Sequence, residues 1–133
     1  MRIGEVARRS GVPVKTIRYY EDIGVLDPPP RTDSGYRDYD DSVLDRLAFV
    51  RSAQTVGLTL GEIREIVAFR ARGEPPCAHV TNLIAQRSAD LTRRIAELEA
   101  MNAELTRLAE RARSLDPRDC HPLQICHIIG PGR

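Results

Sequence analysis

From Cys77 to Leu115 the chain keeps a seven-residue register. Cys77, Ile84, Leu91, Leu98, Leu105 and Ala112 form one row, accompanied by Val80, Arg87, Arg94, Met101, Leu108 and Leu115. This pattern predicts one long helix whose apolar seam needs a partner helix. Arg87 and Arg94 interrupt the seam, so its first half is expected to lie against the head or to hold its arginine heads in water. The 39 positions, at about 1.5 Å each, span roughly 58 Å. Cysteines flank this helix: Cys77 opens it, and Cys120 and Cys126 follow its end. Five extended residues reach only about 17 Å, so Cys120 cannot return to its own Cys77. The three thiols can meet only if a second copy runs antiparallel, which predicts a thiol site shared between subunits.

The 133 residues amount to one ordinary domain, and a long exposed helix removes many of them from any single core. A small head with a dimerisation helix is the architecture that fits. No stretch approaches about 18 consecutive apolar residues, and Met1 leads directly into charged residues, so neither export nor membrane contact is expected. The expected compartment is the cytoplasm. There, three cysteines without a CxxC pair point to metal binding or a reactive thiol, and not to a disulfide framework. The net charge of +1 carries no nucleic-acid signature by itself. Lys15 is the single lysine among twenty basic residues, so arginine, whose fixed donor fork suits phosphates and guanine edges, dominates.

In the head, Ile3, Val6 and Ala7 recur at helical spacing before Gly11-Val12-Pro13 interrupts. A second helix is expected over Val14 to Asp22, with Val14 and Ile17 facing inward and Lys15, Arg18, Tyr19 and Tyr20 on other faces. Two short helices joined at a glycine make a helix-turn-helix candidate. Asp27-Pro28-Pro29-Pro30-Arg31 cannot continue a helix, and Ser34-Gly35 reads as a tight turn before Tyr36-Arg37-Asp38-Tyr39. That stretch reads as a wing, a hairpin that offers one guanidinium and two hydroxyls to a DNA backbone. The alternative for its tyrosines, Tyr39 above all, is that they pack the hairpin onto the head. Asp40 or Asp41 is positioned to cap a third helix through Val43, Leu44, Leu47 and Val50, which Gly57 ends. Thr59 with Glu62 forms a capping box for a fourth helix through Ile63, Ile66 and Val67 to about Arg70. Gly73-Glu74-Pro75-Pro76 then breaks the chain ahead of the long helix.

The run Ile17-Arg18-Tyr19-Tyr20-Glu21-Asp22-Ile23-Gly24-Val25-Leu26, followed by Pro29, Arg31 and Gly35-Tyr36-Arg37-Asp38-Tyr39, closely resembles the head of the MerR family of transcriptional regulators. The resemblance covers the whole chain. It implies a mainly α fold: a winged helix-turn-helix head with a following helical pair (1–72), a long antiparallel coiled-coil dimerisation helix (73–115) and an effector loop and tail (116–133). It also implies that Lys15, Arg18 and Tyr20 face DNA and that Tyr36 and Arg37 clamp its backbone, with promoter DNA, a second copy and RNA polymerase as partners; Thr16, Tyr19, Arg31 and Tyr39 complete the expected DNA-binding set. Cys77, Cys120 and Cys126 resemble the ligands of the branch that senses divalent soft metals. The monovalent copper and gold branch usually has serine where Cys77 stands.

Three thiolates suit a cation that accepts trigonal sulfur coordination, Hg(II) above all, with Cd(II) and Pb(II) as alternatives. Zn(II) prefers four ligands, and His79, His121 or His127 could supply the fourth. Cys77 at a seam position also fits a small apolar packing role. The tail from Gly130 to Arg133 is expected to fray. Two rival functions use the same residues: a thiol-based redox or electrophile switch on the same DNA-binding frame, and a metal buffer, which a winged head disfavours. No enzyme is expected, because the chain has no Gly-rich phosphate loop, zinc-protease motif or Ser/His/Asp pattern. The function expected from this reading is a homodimeric regulator that represses without metal and activates by distorting its promoter when metal binds.

Overall fold

The structure is a computed structural model that describes residues 1–130; the expectation for Pro131 to Arg133 lies outside the described residues. Among the described residues, five α-helices follow in order: α1 (Ile3–Ser10), α2 (Val14–Asp22), α3 (Ser42–Thr55), α4 (Leu60–Ala71) and α5 (Cys77–Ser114). A 3-10 turn over Pro117–Asp119 comes after them. The chain forms two compact units, Met1–Leu83 and the residues from Ile84 onward.

The first unit is built on α1 to α4. Val6 from α1, Ile17 from α2, Val25, Val50 from α3 and Ile63 from α4 are its largest fully buried side chains. Each such burial stabilises the head by about 1.5–3 kcal/mol before chain entropy is counted. Gly11 ends α1 at φ 75° and donates its N–H to the Ala7 carbonyl at 2.9 Å. A β-carbon there would sit in left-handed backbone and 3.3 Å from the Arg51 guanidinium, so the tight joint between α1 and α2 depends on glycine. Of the two aspartates able to cap α3, Asp41 stands at the N-cap position but makes no side-chain capping bond, while Asp40 Oδ1 accepts the Ser42 N–H at 2.8 Å. The expected capping box on α4 is present, with Glu62 N–H donating to Thr59 Oγ1 at 3.1 Å and Thr59 N–H to Glu62 Oε1 at 2.9 Å. Val80 and Leu83 pack against this core, so the first turns of α5 belong to the head's hydrophobic cluster.

The second unit comprises the rest of α5 and the residues after it. No residue of α5 is buried within one chain. Ile84, Leu91, Leu98, Met101 and Leu105 stand 52–60% exposed, and Ile95 joins them at 54%. Ile95 lies outside the two heptad rows, which makes the uncovered apolar stripe wider than a two-row zipper. After α5, Asp116 caps the 3-10 turn by accepting the Arg118 N–H at 2.9 Å. The chain then closes a further turn in which Gly130 N–H donates to the Cys126 carbonyl at 2.8 Å.

Candidate DNA interface and thiol loop

On α2 the helical period separates two faces. Ile17 and Tyr20 point into the core, while Lys15, Arg18 and Tyr19 are exposed and Thr16 is half-buried. Arg18 lines an open groove of about 400 Å³ together with Arg2, Arg31, Tyr36 and Arg37. Four guanidiniums around one groove, with a tyrosine at its edge, make a site for a polyanion such as a phosphate backbone.

The wing that forms the groove's far side is a short hairpin. Arg31 and Arg37 form an isolated antiparallel bridge, and no longer strand occurs among the described residues. Thr32 N–H donates to the Tyr36 carbonyl at 2.7 Å and Gly35 N–H to the Thr32 carbonyl at 2.8 Å. Gly35 adopts φ 86°, the conformation its turn requires. The Arg31 Nη1 donates to the Gly35 carbonyl at 2.7 Å, bracing the tip. The Arg2 guanidinium lies 4.2 Å over the Tyr36 ring. In the sequence, only the basic charge of Arg2 ahead of α1 points to such a role.

Two residues of the expected DNA-binding set are placed in the core instead: Tyr20 is 7% exposed and Tyr39 4%. Tyr20 is buried because it lies about one helical turn from Ile17 on the inward face of α2. Tyr39 is buried because the wing folds back onto the head, where its hydroxyl donates to Glu21 Oε2. Burial, reinforced by the bond to Glu21, raises its pKa far above the usual tyrosine value, so the hydroxyl remains a donor. Glu21 also accepts the Arg37 Nε at 3.1 Å, and its side chain is only 8% exposed. The packing role considered for Tyr39 is therefore the one the structure displays. Lys15, Arg18, Tyr19, Arg31 and Tyr36 are exposed, and Arg37 is half-buried.

The three cysteines are free thiols. Cys77 is the first residue of α5 and is exposed, and the hydroxyl of Thr81 donates to its carbonyl at 2.8 Å. His79, one half-turn on, stacks on Phe69 at 5.0 Å between ring centres and lies 3.4 Å from the Glu65 carboxylate, so it is engaged within the head.

Cys120 and Cys126 are half-buried in the second unit. The backbone N–H groups of Ile129 and Ile128 are directed at the Cys126 sulfur and hold its thiol below the ordinary cysteine value. Thiolate is the ligand form, so this turn favours the state that binds a soft cation. Arg111 donates from Nε and Nη2 to the His127 carbonyl at 3.2 and 3.0 Å, fastening the turn to α5. His121 is exposed, and its Nδ1 accepts the Leu123 N–H at 3.0 Å. Among the described residues of one chain, no group of three or more His, Cys, Asp or Glu side chains is gathered closely enough to hold a metal ion.

Residues 1–69 match the family model for MerR HTH family regulatory proteins, and residues 44–108 match a second model described as MerR, DNA binding. The chain belongs to the MerR family. It is 38% identical over 110 residues to the mercuric resistance operon regulatory protein of Bacillus cereus, covering 83% of each chain. The structure is similar to the transcription regulator PbrR691 of Ralstonia metallidurans in complex with lead(II), with TM-score 0.77 and 35% identity over 90% of this chain and 94% of that one. It is also similar to the mercury(II)-bound MerR of Bacillus megaterium, with TM-score 0.64 and 34% identity over 91% and 92% of the two chains. The helix-turn-helix head followed by a long helix is thus a family architecture, and the chain is a DNA-binding transcription regulator by membership. Among the described residues no helix is long and apolar enough to cross a membrane.

Proposed function

We propose that this MerR-family chain is a homodimeric regulator whose effector is a divalent soft metal ion, held by Cys77 of one subunit and Cys120 and Cys126 of the other. The observation that carries the reading is the continuity of α5 from Cys77 to Ser114. Thirty-eight helical residues rise about 57 Å, so an antiparallel partner is what brings the thiols together. The wide apolar stripe through Ile84, Leu91, Ile95, Leu98, Met101 and Leu105 is the surface such a partner would cover. Metal binding by the lead(II)- and mercury(II)-bound relatives supports the class of effector. Three thiolates suit Hg(II), Cd(II) or Pb(II), and Zn(II) needs a fourth ligand, for which His121 and His127 are better placed than the engaged His79.

In this reading the exposed residues Lys15, Arg18 and Tyr19 meet promoter DNA, and Arg31, Tyr36 and Arg37 hold its backbone. Without metal the dimer represses. With metal it bends and untwists the promoter so that RNA polymerase engages. Distorting a short duplex costs on the order of 1–6 kcal/mol, which metal–thiolate bonds made in only one loop arrangement can offset. Titration of the reduced dimer with Hg(II), Cd(II), Pb(II) and Zn(II), followed by thiolate-to-metal absorption, tests the ligand set. Three thiolates per metal, all lost on substituting any one cysteine, is the expected result. Binding to one or two thiolates within a single chain would contradict it, and disulfide formation without metal affinity would favour the redox switch.

A further inference from the structure

Glu21 places a carboxylate on the helix proposed to read DNA, where a negative charge works against a polyanion. Its position explains the choice. The side chain is 8% exposed, and it accepts two donors from the wing: Arg37 Nε at 3.1 Å and the Tyr39 hydroxyl. Tyr39 is itself fixed, 4% exposed in the core. One carboxylate oxygen is therefore held by a buried residue while the other holds Arg37, and the wing's arginine is tied to α2 through a rigid intermediary.

Arginine carries its donors on a planar fork. An acceptor on Nε fixes the plane of that fork and leaves the terminal nitrogens available for a second acceptor. Arg37 lines the groove shared by Arg2, Arg18, Arg31 and Tyr36, where a bound phosphate can serve as that second acceptor. From this geometry we infer that Glu21 is a positioning residue for DNA binding: it orients the Arg37 guanidinium so that its outer edge meets a backbone phosphate. The inference rests on the proposed reading of Arg37 as a DNA contact.

A purely electrostatic role predicts the opposite sign. Removing a carboxylate from the DNA-facing side lowers repulsion, so Glu21→Gln would bind DNA more tightly if charge alone mattered. Positioning predicts weaker binding. The experiment is a cycle of wild type, Glu21→Gln, Arg37→Ala and the double variant in the full-length dimer. Duplex affinity is measured against salt, with circular dichroism confirming the fold; if Glu21→Gln does not fold, Glu21→Asp, which keeps the charge but shortens the reach, takes its place.

Glu21→Gln is expected to weaken binding about tenfold and to lower the salt slope by about 1, as loss of one phosphate contact does. In the Arg37→Ala background it should cost nothing further. If Arg37→Ala weakens binding while the Glu21 variant leaves affinity unchanged, tightens it, or weakens it by the same factor in both backgrounds, the positioning role is overturned and the DNA contact stands. If Arg37→Ala itself changes neither affinity nor slope, the reading of the wing as a DNA contact fails first, and the role of Glu21 falls with it.

Discussion

Arg111 and His127 are joined by a forked hydrogen bond: the guanidinium in the last turns of α5 donates Nε and Nη2 to one backbone carbonyl, at 3.2 and 3.0 Å. That carbonyl belongs to the residue next to Cys126, in the turn that Gly130 closes on the Cys126 carbonyl. A movement of the thiol turn therefore pulls on α5, and the reverse also holds. The same bond gives the thiol turn a fixed attachment to the helix proposed as the dimer interface.

The first prediction concerns this attachment. Arg111→Gln removes the fork and leaves all three cysteines in place. Partners that orient a ligand typically contribute 10–100-fold in metal affinity. Competitive titration of the reduced dimer should show a loss of about 10–100-fold, with metal-free DNA binding unchanged. Wild-type metal affinity in the variant would mean that the turn holds its shape without α5.

A second prediction concerns the exposed stripe. Leu98→Asp with Leu105→Asp puts charges where a partner's apolar side chains would lie, a cost of several kcal/mol, taken as roughly 2–7 for each polar group left unpaired. Sedimentation should show monomers at micromolar concentration, and the head should keep its helical signal because its core residues lie before Ile84. An intact dimer would remove α5 as the interface.

The third prediction separates the two DNA-facing elements. Arg18→Ala on α2 should cost about 1–3 kcal/mol and relax sequence preference if Arg18 reads a base edge. Arg31→Ala at the wing should weaken binding to all sequences alike and lower the salt slope by about 1. Footprinting on matched and mismatched duplexes, with salt titration, distinguishes them. Equal losses on every sequence for both variants would assign Arg18 to the backbone as well.

The fourth prediction is a check on the head alone. Thr59→Ala removes the cap that holds Glu62 N–H at 3.1 Å and should lower stability by about 1 kcal/mol. Urea unfolding measures it. No loss would mean that α4 is held by Ile63, Ile66 and Val67 without help from its cap.

The features legible in the sequence are those set by neighbours along the chain. Gly11 ends α1, Thr59 and Glu62 cap α4, and the heptad rows continue without a break as α5, because each depends on residues a few positions apart. What escaped the sequence depends on contacts between distant segments. Tyr20 and Tyr39 carry hydroxyls suited to DNA, but Tyr20 shares the inward face of α2 with Ile17, and the folding of the wing onto the head buries Tyr39. Arg2 meets Tyr36, and Glu21 meets Arg37 and Tyr39, through that same closure. Ile95 differs in kind: a strict heptad template selects two rows and passes over an apolar residue beside them. The thiol site is legible only as an argument about length, since one chain does not gather its donors.

A thiol site shared between subunits is tested most directly by complementation between two defective chains. Cys77→Ser alone and Cys120→Ser/Cys126→Ser alone each lack part of every shared site, so neither homodimer should bind Hg(II) tightly. Their heterodimer contains one complete site, with Cys77 from one subunit and Cys120 and Cys126 from the other, and a second site with none of the three. After subunit exchange verified by mass spectrometry, the shared-site account predicts one tight Hg(II) per heterodimer with three-thiolate absorption, and partial metal-dependent activation. Verified heterodimers without a tight site, or tight binding by either variant homodimer, would contradict it.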